Sequence, residues 1–188
     1  MMPVIRIDDA TFSSLSTLKT WFGTKTPSET IARVVIEAME QLGFERDDEP
    51  DPQVVVSQEG AMQFSDAPAL TFTKPLAASL NGKAIQNPRW SSILIAMLTH
   101  LKAAGLTIEQ LIRELHIPAK VGSYIGEGYL YHDKLGISLQ GQSAADAWRE
   151  VDRLAKKWKV PVRVDFCWRQ NSKAQFPGRT GILRTGGA

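Results

Sequence analysis

Pro3-Val4-Ile5-Arg6-Ile7-Asp8-Asp9 and Thr26-Pro27-Ser28-Glu29 are the two stretches on which the reading of this 188-residue chain turns. In the first, side chains alternate with the period of a strand, which puts Pro3, Ile5 and Ile7 on one face and Val4 and Arg6 on the other. Asp8 or Asp9 can cap a helix. Beyond them Phe12, Leu15, Leu18, Trp21 and Phe22 recur at spacings of three and four, so one apolar helical stripe is predicted, ending at Gly23. In the second stretch Thr26 suits the N-cap and Pro27 the first helical position, and Glu29 can reach back in a capping box. The helix that follows carries Ile31, Val34, Val35, Ala38, Met39 and Leu42 on one side and stops at Gly43.

Residues 1–44 therefore read as strand, helix, tight turn, helix. Such a unit is incomplete by itself, because its strand has no pairing partner and two short helices bury too little surface. A second copy of the chain supplies both. An obligate homodimer is expected, closed over Ile5, Ile7, Leu15 and Val35. This order of elements resembles the ribbon-helix-helix DNA-binding proteins over residues 2–43. It is particularly similar to the oligomerisation module of the SeqA replication regulators, which shares the Ile-x-Ile/Val-Asp-Asp run and the small polar turn. The resemblance implies paired strands lying in the major groove, with Val4 and Arg6 reading bases. It also implies phosphate contact at the start of the second helix, by Lys25, Thr26 and Ser28. A unit that only dimerises is the plainer alternative.

Residues 45–69 open with Glu45-Arg46-Asp47-Asp48-Glu49-Pro50-Asp51-Pro52, charged and twice broken by proline. They read as an acidic flexible linker with a span of about 25–30 Å. Residues 70–188 read as a mixed α+β domain with hairpins and three helices. Asn81-Gly82 marks a hairpin turn. Asn87-Pro88 is expected to open a helix with Trp90, Ile93, Leu94, Met97, Leu98 and Leu101 on its apolar side. Thr107 to Gln110 forms a second capping-box pattern, and a further hairpin is expected around His132-Asp133-Lys134. Ser143 caps a long helix whose apolar side includes Trp148 and Trp158. Residues 160–168 alternate as a strand, with Cys167 outward and Trp168 inward, and a polar, basic, Gly-rich tail follows from Gln170.

Charge separates the halves. Residues 1–67 hold 5 basic and 12 acidic side chains, whereas residues 68–188 hold 17 basic and 8 acidic ones. An excess of nine positive charges suits a polyanionic partner, and double-stranded DNA is the expected one. Arg149, Arg153, Lys156 and Lys157 on the long helix, Arg163 and Arg169 on the next strand, and Lys173 and Arg179 in the tail form the candidate phosphate-tracking surface.

With 43% hydrophobic and 22% charged residues the chain can bury a core. The longest apolar run, residues 93–98, is too short to cross a membrane, and the N-terminus lacks signal-peptide character. The single cysteine, Cys167, fits a cytoplasmic protein. His100, His116 and His132 stand sixteen residues apart with no cysteine pair nearby, and Gly126-Glu127-Gly128 is not a phosphate loop. No catalytic residue, metal or cofactor is expected. The reading is a dimeric, non-enzymatic DNA-binding regulator. Its rivals are a protein-interaction adaptor or antitoxin gripping another protein through the C-terminal domain, and a DNA nuclease around Asp165.

Overall fold

A computed structural model describes residues 4, 6–42, 60–124 and 126–187, with backbone alone for residues 40–42. The chain divides into two compact units, Met1–Glu40 and Gln41–Ala188. Ile5, the chain segment 43–59 and therefore most of the expected linker lie outside the described residues.

The first unit is a pair of helices, α1 (Asp9–Phe22) and α2 (Pro27–Leu42). Asp8 caps α1, its Oδ1 accepting from the Thr11 N–H at 2.8 Å. Gly23 ends the helix in the left-handed region, at φ 65°, where a side chain would be strained. Val4, Arg6 and Ile7, expected in a strand, carry no strand pairing within the single chain.

The second unit builds a five-stranded sheet and a three-stranded sheet around three helices. In chain order the elements are β1 (Met62–Phe64), β2 (Thr73–Leu80), β3 (Lys83–Ile85), α3 (Trp90–Ala103) and α4 (Ile108–Glu114). There follow β4 (Ala119–Val121), β5 (Tyr129–His132), β6 (Ile137–Gln140), α5 (Ala144–Trp158), β7 (Val162–Trp168) and β8 (Thr180–Thr185). The larger sheet runs β1-β8-β7-β2-β3 and is antiparallel except for the parallel β1–β8 edge; the smaller runs β4-β6-β5. The class is α+β. Among the described residues no helix is long and apolar enough to cross a membrane.

Both expected hairpins form, β2–β3 through Asn81-Gly82 and β5–β6 through the turn after His132. Both residues of the first turn have positive φ, as a type I′ turn requires. The capping box of α4 closes from both sides, Gln110 N–H to Thr107 Oγ1 and Thr107 N–H to Gln110 Oε1. The start of α3 differs from expectation. Asn87 takes a left-handed turn at φ 45°, and Arg89 caps the helix through a 2.8 Å bond from its N–H to Ser92 Oγ.

One face of the large sheet carries the core. Val162, Val164, Phe166 and Trp168 of β7 are all buried there, packed with Trp90, Ile93 and Met97 of α3 and Val151 and Leu154 of α5. Each large apolar side chain so buried contributes roughly 1.5–3 kcal/mol. The two tryptophans also satisfy their polar edges: Trp90 Nε1 donates to Thr73 Oγ1, and Trp168 Nε1 donates to the Ala69 carbonyl.

Four further expectations are corrected. Residues 62–64, read as tether, form the sheet edge β1. The Gly-rich tail is not free: residues 180–185 are β8, inside the sheet, with Ile182 and Leu183 buried. Trp158, placed on an apolar stripe, lies at the end of α5 and is 38% exposed. Cys167 points to the outer face yet is buried.

Candidate nucleic-acid interface

The turn between α1 and α2 is locked by side chains of the Thr24–Thr30 segment. Thr24 and Thr30 share a 2.6 Å hydroxyl–hydroxyl hydrogen bond, and Thr30, fully buried, also donates to the Thr26 carbonyl. Thr26 Oγ1 accepts from the Glu29 N–H at 3.2 Å. The Glu29 carboxylate reaches one residue further than a standard capping box, to the Lys25 N–H at 2.8 Å. Lys25, Thr26 and Ser28 are exposed at the start of α2. A competitor lies there too: the Glu29 carboxylate already occupies part of the N–H array that an incoming phosphate would use.

The helices leave their apolar stripes largely uncovered. Leu15 is the only hydrophobic residue buried among the described residues of this unit. Trp21 is 73% exposed, Phe12 51%, Val35 47% and Ile7 41%. Of the expected dimer residues, Ile7 and Val35 are therefore open and Leu15 is covered within the chain. Val4 and Arg6 are both exposed.

The basic face of α5 is not a bare cationic stripe. Arg149 Nη1 lies 2.8 Å from Asp146, Lys156 Nζ 2.7 Å from Asp152, and Lys157 Nζ 2.6 Å from Glu114. Arg163 on β7 pairs with Asp165 at 2.8 Å. These hydrogen-bonded carboxylates hold the Lys156 ammonium and the Arg163 guanidinium pKa above their ordinary values. Arg153 does structural work. It bonds Glu150, which is buried, and donates to the Glu114 carbonyl, tying the end of α4 to α5. Glu150 also accepts from the His116 N–H at 3.0 Å. Five expected phosphate ligands thus meet five carboxylates, and the net charge of that surface is small.

Lys173 and Arg179 are exposed on the segment between β7 and β8, and Arg169 follows the end of β7, half-buried. The sequence reading places Arg184, with Lys173 and Arg179, in the basic tail. In β8 it stands directly across from Arg163.

Among the described residues no three His, Cys, Asp or Glu side chains gather closely enough to hold a metal ion. No protein-family model matches the chain, and no curated protein or solved structure matches it significantly.

Proposed function

We propose that the protein is a dimeric, cytoplasmic DNA-binding regulator whose N-terminal unit is a ribbon-helix-helix module. The observation that carries this reading is the uncovered apolar surface of α1 and α2. A helix pair that buries one leucine and exposes Phe12, Trp21 and Val35 needs a partner surface to stay folded. A second copy supplies it while pairing the segment around Ile5 with its twin. Val4 and Arg6 then project together from the ribbon, where Arg6 can bond guanine twice and Val4 can touch a thymine methyl. Lys25 and Ser28 at the start of α2 would bear on the flanking phosphates.

Sedimentation equilibrium of the full chain should give a homodimer at micromolar concentration, and a folded monomer would sink the reading. Arg6→Ala should cost about 1–3 kcal/mol on the preferred site and flatten the preference between sites. Unchanged affinity on every sequence would leave the ribbon as a dimer interface alone.

A second reading draws on the small sheet. Val121 and Leu130 are 61% and 62% exposed there, and Tyr131 is 43% exposed. Exposed apolar side chains of that kind, on the two outer strands of a small sheet, suit an adaptor or antitoxin that grips another protein. Binding that ignores salt and nucleic acid alike would favour it.

A further inference from the structure

We infer that the C-terminal unit contacts the phosphodiester backbone of DNA through the outer face of its large sheet, centred on Arg163 and Arg184, and not through α5. The inference rests on the DNA-binding reading and names the second surface it needs. The register of the sheet decides which residues share this face. Opposite Val162, Val164, Phe166 and Trp168, which bury into the core, β7 carries Arg163, Asp165 and Cys167. On one side β8 aligns Arg184 with Arg163 and Ile182 with Asp165. On the other, β2 aligns Ser79 with Arg163, Ala77 with Asp165 and Lys74 with Cys167. The face therefore brings Arg163 and Arg184 side by side next to Asp165, with Lys74 further along β2.

Two arginines directly opposite on neighbouring strands repel each other and cost the fold stability. Asp165 neutralises Arg163 alone, through bonds of 2.8–3.3 Å. The Arg184 guanidinium is exposed and makes no hydrogen bond or ion pair among the described residues. Both arginines line one open depression at the end of the sheet, beside Ser79, Gly82 and Thr185. Ser79, Gly82 and Gly187 are small, which keeps the depression open beside the two arginines. The α5 cations lack this property, since each is already matched by a carboxylate. A bidentate guanidinium–phosphate contact is what an unpaired arginine beside a neutralised one is built to make.

The test follows the binding of the full-length dimer to a labelled DNA duplex of mixed sequence across a series of KCl concentrations. Each phosphate contact contributes about 0.9 to the slope of log affinity against log salt. Arg184→Gln should lower that slope by about 0.9 and weaken binding by the same factor on every sequence, with the melting temperature no lower than wild type because the repulsion with Arg163 is relieved. The pair Lys156→Gln and Lys157→Gln should leave the slope as it is. A wild-type slope in Arg184→Gln overturns the inference and leaves the DNA reading standing on the N-terminal unit, where Arg6→Ala tests it separately. A wild-type protein with no salt-dependent binding overturns both.

Discussion

Removing the Arg153 guanidinium strands the Glu150 carboxylate. Glu150 keeps 4% of its side-chain surface in water, and without Arg153 its remaining described hydrogen bond comes from the His116 N–H. A buried carboxylate deprived of its cation costs about 3–5 kcal/mol when the site is dry. Arg153 itself is 27% exposed, so water can follow it in, and the expected loss for Arg153→Ala is nearer 2 kcal/mol. The denaturant midpoint should fall with the slope of the transition unchanged. Arg149→Ala, one helical turn away, should shift stability by less than about 0.5 kcal/mol, because that pair is exposed on both sides. Equal losses in the two variants would mean that Arg153 is a surface cation, and would restore it to the phosphate-contact set. Spacing along α5 cannot separate these two arginines. Both sit three residues after a carboxylate, and burial of the partner, which depends on α4, makes the difference.

The strands that the sequence hides are the short ones and those rich in glycine. β1 is three residues long at a parallel edge, and its pairing partner lies more than 110 residues away, so no local pattern announces it. β8 contains Gly181 because the Phe166 ring fills the space a Cβ would need, and that same glycine disguises the strand as tail. The elements with strong local chemistry were readable: the caps at Asp8, Thr107 and Ser143, the Asn81-Gly82 turn, and the alternation of β7. The cationic surface was readable as composition and only partly as position, since pairing with acids from other elements is a tertiary fact. Phe64→Ala tests whether β1 belongs to the domain. Its ring packs within 5.8–6.5 Å, centroid to centroid, of Phe166, Trp168 and Phe176. A fully buried phenylalanine costs about 3–5 kcal/mol on truncation; this half-buried one should cost about 2 kcal/mol. A neutral substitution would return residues 60–69 to the tether.

The two units differ in how each reaches stability, and heat should expose the difference. The second has a contiguous core of buried residues running from Leu70 to Leu183, enough to fold without help from another chain. The first, among its described residues, buries Leu15 and the polar Thr30 and leaves Phe12, Trp21 and Val35 exposed, so on the dimer proposal its folding is coupled to association. Calorimetry of the full chain should then show two transitions. The one belonging to the N-terminal unit should rise in temperature as protein concentration increases, because dissociation and unfolding are coupled. The other should stay fixed. Val35→Asp places a charge on the open face of α2, where burial against a second copy would leave it unpaired. It should erase the concentration-dependent transition, convert the dimer to a monomer by sedimentation, and leave the second transition within about 1 °C of wild type, since no contact of the C-terminal core is touched. The charge split along the chain fits this division. If instead Val35→Asp remained dimeric with both transitions intact, the uncovered stripe would not be the dimer surface, and the ribbon-helix-helix reading would lose the observation that carries it.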